Sequence, residues 1–334
     1  NGDGYSDVAV GVSNGVFASY SNGGVEIYYG SASGISASPS WSKSSGVSQD
    51  EFGSSVATAG DLNGDGYSDI IAGAWKLNSE SGAAYVFYGS QSGLSSDAGW
   101  TASGSYGSWY GYSVSGAGDV NGDGYGDVVV GAPLLSSYGG AYVYHGSSAG
   151  LSASPNWQFV SYSANSRFGI SVACAGDVNG DGYSDVLMGQ SRYQIGAVYA
   201  GAASCYYGSP TGLNTLYPEW FVTAPDEYST FEFGGCVASA GDVNGDGYSD
   251  VLVSAPNPFG DVYFYYGSAN GLPLSYNLNC NNAPSMRFGY SAASAGDVNG
   301  DGYSDVIIGA YFSNGGSAYL YNGNSSSGKS SFVQ

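Results

Sequence analysis

The sequence predicts an all-β protein, a single β-propeller domain running from residue 1 to residue 334. Three observations predict it. An acidic, glycine-rich segment recurs, with the first Asp of each full copy at positions 61, 119, 177, 242 and 297, so the steps are 58, 58, 65 and 55 residues. A block of that size holds about four short strands and their turns, which is one propeller blade. The apolar runs between these segments are short and keep no 3.6-residue period, so helices should be nearly absent. Finally, 57 glycines are scattered through every block, which suits tight turns and close strand packing and disfavours helix.

One block read in order justifies the elements. Residues 52–59 (FGSSVATA) are small and extended, and suit an innermost strand near a crowded axis. The acidic loop follows. Residues 70–74 (IIAGA) form a short apolar run, consistent with a buried strand. Residues 83–89 (AAYVFYG) are aromatic and branched, a third strand. A turn at 90–94 and an outer segment around Trp100 complete the block. The equivalents recur. The inner strand starts at Phe52-Gly53, Tyr110-Gly111, Phe168-Gly169, Phe233-Gly234 and Phe288-Gly289. The third strand ends at Tyr29, Tyr88, His145, Tyr207 and Tyr266, and the outer Trp recurs as Trp41, Trp100, Trp157 and Trp220. These aromatics are expected to pack between blades, with His145 a structural replacement for Tyr.

The repeats fall at about 1–50, 51–108, 109–166, 167–231, 232–286 and 287–334, which predicts a six- or seven-bladed ring. The first copy of the acidic loop is truncated, beginning at its third position with Asn1. Only about 11 residues separate Tyr321 from Phe332, too few for an outer strand and a new inner strand together. One blade is therefore expected to lack its inner strand. Such an open edge invites pairing, so the chain is expected to be part of a longer polypeptide or to take a strand from a neighbour. The opening residues do not read as a signal peptide.

Charge narrows the partners. With 27 acidic side chains against 6 basic ones, the net charge is −21. Such a chain repels phosphate backbones and anionic lipid surfaces, which argues against nucleic acid and direct membrane insertion. No apolar run approaches the roughly 18 residues of a membrane span. A single histidine leaves little general acid–base capacity.

The pattern Phe-Gly-x-Ser-Val-Ala-x-Ala-Gly-Asp-Val-Asn-Gly-Asp-Gly-Tyr-x-Asp-Val, with the run Val128 to Pro133, resembles FG-GAP repeats over almost the whole chain. That resemblance implies the β-propeller of integrin α subunits and related extracellular proteins. Integrin-type propellers have seven blades, of which only some carry calcium. Here every copy keeps its acidic loop, so the resemblance implies the fold without integrin function.

Asp at loop positions 1, 5 and 9, Asn at 3 and Gly at 4 and 6 make a calcium-loop pattern. Calcium takes about six to eight hard oxygens, and Gly lets the chain coil tightly enough to aim alternate residues inward. The predicted ligands of the second copy are Asp61, Asn63, Asp65, the backbone carbonyl of Tyr67, and Asp69. Those of the third are Asp119, Asn121, Asp123, Tyr125 and Asp127; of the fourth, Asp177, Asn179, Asp181, Tyr183 and Asp185. The fifth supplies Asp242, Asn244, Asp246, Tyr248 and Asp250, and the sixth Asp297, Asn299, Asp301, Tyr303 and Asp305. The truncated first copy supplies Asn1, Asp3, Tyr5 and Asp7. An EF-hand would need Glu at position 12, where Ala72 stands, and an apolar strand-like run follows in place of a helix. A loop that bound nothing would crowd its carboxylates: 17 of the 27 acids lie in these loops, and up to six Ca²⁺ would bring −21 to −9. The calcium is expected to be structural.

The four cysteines, Cys174, Cys205, Cys236 and Cys280, lack zinc spacing and permit three pairings or free thiols. One N-glycosylation sequon, Asn324-Ser325-Ser326, admits a glycoprotein. The function expected is that of an extracellular, calcium-stabilised structural or adhesion module, within a surface filament or a multidomain surface protein. Its partners would be protein, by self-association or neighbouring domains, or glycan. A lectin is the alternative, because Tyr106, Trp109, Tyr110 and Tyr112 form an aromatic stretch that could stack on sugars. A further alternative is the non-catalytic propeller of a polysaccharide- or lipid-active enzyme. The chain itself is not expected to be an enzyme. Only ten acids lie outside the loops (Asp50, Asp97, Asp226, Asp261, Glu26, Glu51, Glu80, Glu219, Glu227 and Glu232), and Glu227 and Glu232, close in sequence, have no basic or His partner.

Overall fold

In the second repeat the strand Phe52–Gly60 runs into the acidic loop, and Asp69–Ala74, Ala83–Phe87 and Trp100–Ser103 follow it antiparallel, each beside its predecessor. The sequence dictates this locally. Asp69–Ala74 is buried at all six positions, which is why it reads as an unbroken apolar run. Gly60, at φ 75°, takes a left-handed conformation where the register shifts between Thr58 and Gly60, and it pairs with Asp69. That bulge throws the loop out of the sheet and returns it at the second strand. Neighbouring sheets approach very closely. A side-chain carbon at Gly73 would collide with the carbonyl of Gly111, itself at φ 79°.

The chain is described in a computed structural model at every residue except 13–22, 48, 197, 226–231, 258–259, 281–286, 312–315, 326–331 and 334. It divides into two compact units, Asn1–Asp119 with Asp123–Val160, and Val120–Gly122 with Ser161–Gln334. The first unit holds the sheet just described. It also holds a four-stranded sheet of Ser113–Gly118, Asp127–Ala132, Gly140–Tyr144 and Trp157–Val160. Its third sheet, Val8–Val12, Gly24–Tyr28 and Trp41–Lys43, has three strands among the described residues, with Val8 and Val10 exposed at the edge.

The second unit repeats the four-stranded sheet from Phe168–Gly176, Val237–Gly241 and Phe288–Gly296 onward. The last of these closes with Phe332–Val333 as its fourth strand against Leu320 and Tyr321. Among the described residues there are thus six repeat sheets, all with the same meander order. This is the all-β, six-bladed propeller arrangement.

Among the described residues helix is confined to single turns at Leu77–Glu80 and Leu135–Ser137, both containing left-handed residues. A small hairpin, Gln194–Ile195 with Val198–Tyr199, was not foreshadowed by the repeat. In the fourth repeat the connection from second to third strand is longer, and its extra residues pair with one another.

The repeated aromatics pack between sheets. Trp41 meets Phe87 and Trp100 meets Tyr144 edge-on in the first unit, as Trp220 meets Tyr265 in the second. The indole N–H of Trp100 donates to the Ser152 carbonyl at 2.9 Å, and that of Trp220 to the Pro273 carbonyl at 2.8 Å. The hydroxyls of Tyr29, Tyr88 and Tyr207 accept the backbone N–H of Leu94, Leu151 and Leu272. Each contact joins one repeat to the next. The four cysteines are free thiols, with burial pushing Cys236 up to about 11 and Cys280 up to about 12.

Candidate metal centre

Each acidic loop is held open by its own backbone. In the second copy the Asp61 carboxylate accepts the N–H groups of Gly64, Asp65 and Gly66 at 2.7, 3.1 and 2.8 Å. Asp177, Asp242 and Asp297 do the same in their loops, and Asp119 takes the N–H groups of Asp123 and Gly124. Asn63 Oδ1 accepts the Asp65 N–H and Asp65 Oδ1 the Tyr67 N–H, so every second residue turns an oxygen toward the coil. The same contacts recur at Asn179 with Asp181, at Asn244 with Asp246 and at Asn299 with Asp301. In the first copy Asn1 accepts from Asp3, and Asp3 from Tyr5.

The last Asp of the loop has a different setting. Asp69, Asp127, Asp185, Asp250 and Asp305 are fully buried. Asp69 Oδ2 accepts the Leu62 N–H at 2.9 Å and its Oδ1 the Gly89 N–H at 2.7 Å, clasping the loop to the end of the third strand. Asp185, Asp250 and Asp305 repeat both bonds. Asp7 keeps the equivalent bond to Gly30, is exposed, and pairs with the amino group of Asn1 at 3.1 Å. Burial, reinforced by the other two aspartates of the loop, pushes Asp69 up to about 6 and Asp185 and Asp250 up to about 7. Asp297 is held below the usual carboxylate range by the backbone N–H groups it accepts, that of Gly302 first.

Consecutive loops are also joined. A side-chain carbon at Gly64 would meet the ring of Tyr125, and one at Gly2 the ring of Tyr67. Gly180 faces Tyr248, and Gly245 faces Tyr303, in the same way. The ring of the Tyr at position 7 therefore lies on the glycine of the preceding loop.

The expected ligands of each copy lie on a single loop of its repeat. Among the described residues no three His, Cys, Asp or Glu side chains gather into a metal cluster by themselves. The donor set still fits a hard divalent cation, since each loop adds an amide oxygen and a backbone carbonyl to its carboxylates. The raised carboxyl of Asp69, Asp185 or Asp250 is a buried acid crowded by like charge, the setting a divalent cation relieves.

The other candidates have plainer settings. His145 is half-buried, and desolvation lowers its pKa. Glu26 accepts from Tyr28, Asp97 pairs with Lys43, and Glu219 accepts the Tyr207 N–H. Glu232 accepts from Asn257, while Asp226 and Glu227 lie outside the described residues. Ser326 of the sequon lies outside them too; the Asn324 backbone N–H donates to Val243. Sequence reasoning missed Trp75, whose ring meets Trp109 and Tyr112. Its signal was available: it follows a buried strand where other repeats carry Pro133, Ser191 and Pro256.

Repeated four-stranded sheets, each with an Asp-rich loop between first and second strands, define a β-propeller with acidic-loop repeats. Residues 52–87, 237–265 and 288–321 match the FG-GAP repeat, and residues 119–188 the FG-GAP-like repeat. The chain belongs to the FG-GAP repeat proteins. Its relatives include integrin alpha-4 of Xenopus laevis, 32% identical over 215 residues, with 62% of this chain and 20% of the relative covered. Integrin alpha-IIb of Homo sapiens is 33% identical over 225 residues, again covering 62% of this chain and 20% of the relative. The chain therefore spans about a fifth of the length of these relatives. Neither the matched repeats nor these relatives define a catalytic family. Among solved structures, that of Saccharomyces cerevisiae Sqt1 aligns with 92% of this chain and 67% of its own at TM-score 0.52 and 12% identity, a likeness of fold alone.

Proposed function

We propose that this chain is an extracellular structural or adhesion module whose repeats are stabilised by calcium in the acidic loops. The observation that carries the reading is the repeated coil. In the second, fourth, fifth and sixth copies the first Asp is wrapped by three N–H groups, and its partners at positions 3 and 5 are aligned by the same bonds. One geometry built so many times supports a stabilising role. Extracellular modules bind calcium with dissociation constants of about 10⁻⁴–10⁻³ M, so millimolar calcium fills such loops and cytosolic calcium leaves them empty. Kinship with integrin alpha chains supports protein partners at a surface.

Calorimetric titration of calcium into chelator-treated protein tests this. Binding of several ions at submillimolar to millimolar concentration is expected. Heat indistinguishable from dilution, at a concentration where the protein is folded, would overturn the calcium reading.

A further inference from the structure

At the end of Asp69–Ala74 opposite the acidic loop lies an aromatic cluster that the repeat does not require. The Trp75 and Trp109 rings lie 4.7 Å apart at 52°, Tyr112 stacks on Trp109 at 5.5 Å and 17°, and Trp75 meets Tyr112 at 5.7 Å. All three side chains are half-buried. The outer tryptophans behave otherwise: Trp100 and Trp220 are buried, and their indole N–H groups donate to the backbone of the next repeat. The indole N–H of Trp109 instead donates to the exposed carboxylate of Glu80 at 3.0 Å, while its backbone N–H donates to the Glu80 carbonyl.

The backbone here is strained on both sides. Asn78, Ser79 and Glu80 are three successive non-glycine residues at φ 51°, 58° and 66°, and Trp109 sits at φ 56°. The position of Trp109 is left-handed in all five repeats with a described inner strand, occupied elsewhere by Glu51, Arg167, Glu232 and Arg287, so the fold imposes the conformation but not the tryptophan.

We propose that Trp75, Trp109 and Tyr112, with Glu80 at their rim, form a binding platform for a neutral pyranose sugar of a glycan chain. Half-buried rings offer a flat apolar surface to the C–H face of a sugar, and the exposed Glu80 carboxylate at their rim suits its hydroxyls; the Lys76 ammonium is half-buried and already paired with Glu51 at 2.9 Å. Charge selects the class. The net charge of −21 and Glu80 repel phosphorylated, sulfated and uronic ligands. A cationic headgroup is disfavoured because the Lys76 ammonium already lies 4.7 Å from the Trp75 ring centre, and rings in mutual contact leave no cage between them. The platform goes beyond the calcium reading and does not depend on it, since none of its residues lies in an acidic loop.

The test is an array of neutral, uronic and sialylated oligosaccharides, with choline as a cationic probe, followed by titration of the strongest neutral glycan in calcium buffer. Two variants accompany the native chain. Trp109→Gly places glycine at a left-handed position and should fold with little change in melting temperature. Glu80→Gln keeps the fold while weakening the hold on the indole. Neutral-glycan binding that falls at least about tenfold in Trp109→Gly and more modestly in Glu80→Gln is expected. No neutral binder, a preference for acidic glycans or choline, or equal binding by a folded Trp109→Gly would each overturn the platform. Melting curves in calcium and chelator, recorded on the same samples, keep failure of the platform distinct from failure of the calcium reading.

Discussion

The two ends of the strand Asp69–Ala74 obey different rules. At its start, Asp69 makes the same pair of backbone bonds as Asp185, Asp250 and Asp305. At its far end stand Trp75 and its aromatic neighbours, where other repeats carry Pro133, Ser191, Pro256 or Tyr311. Identity from repeat to repeat marks the end that every sheet needs in order to form. Variety marks the end that is free to acquire a ligand. Stability and recognition are therefore separable along one strand only six residues long.

Removing calcium should break the comparison most severely, because it acts on every loop at once. If the loops bind calcium as proposed, each would contribute about 0.5–1.5 kcal/mol at millimolar calcium by mass action. Chelation should then lower the melting temperature by about 4–13 °C. Calorimetric or circular-dichroism melts with and without chelator measure this, and superimposed curves would remove calcium from the loop end altogether.

The pH response should change sign with the ion. Without calcium, Asp185 and Asp250 sit at about 7 and Asp69 at about 6, above the ordinary 3.8. The native state then holds protons that the unfolded chain has released, so stability is greatest below about pH 4 and declines as pH rises toward 7. With calcium bound, the carboxylates must be ionised, and stability should fall as pH drops. Urea unfolding of metal-free and calcium-loaded protein between pH 4.5 and 8 should give slopes of opposite sign. Parallel slopes would mean that these carboxyls do not see the ion.

Two substitutions separate clasp from ligand. Asp69→Asn should destabilise by about 1–3 kcal/mol even in chelator, because a buried N–H of Leu62 or Gly89 loses its acceptor. Asp65→Asn, on an exposed residue, should matter only when calcium is present. If both effects vanish in chelator, the clasp has no role of its own.

The smallest effect belongs to the variable end. Asp50 is buried; its Oδ1 accepts the Phe52 N–H, and its Oδ2 has no hydrogen-bond partner. Ser108 and Ser166 stand at the equivalent places. Asp50→Asn keeps the acceptor and removes the buried charge, so the urea midpoint should rise by the equivalent of about 1 kcal/mol. A fall would show that the carboxylate is satisfied in solution.

Much of this is legible in the amino-acid sequence. Loop spacing, the buried second strand, the packing of Trp100 and Trp220 between sheets and the near absence of helix follow from local composition repeated at a fixed period. Other features depend on partners distant in sequence. The bond from Asp69 to Gly89 spans 20 residues and the contact of Gly64 with Tyr125 spans 61, so the motif alone suggests a ligand carboxylate and hides a clasp. Likewise, the aromatic stretch from Tyr106 to Tyr112 was visible, but Tyr110 turned inward to bond Tyr144, and Trp75 replaced it beside Trp109.

Sequence alone determined the all-β class, the repeat and the acidic loop, because strand patterning, glycine turns and carboxylate spacing are local properties that the chain carries wherever it goes. Tertiary structure alone decided which carboxylates are buried, which glycines lie under a tyrosine ring, and which aromatics share a surface. Burial and electrostatics depend on what neighbouring sheets bring within a few ångströms, and that proximity is set by packing and not by order along the chain.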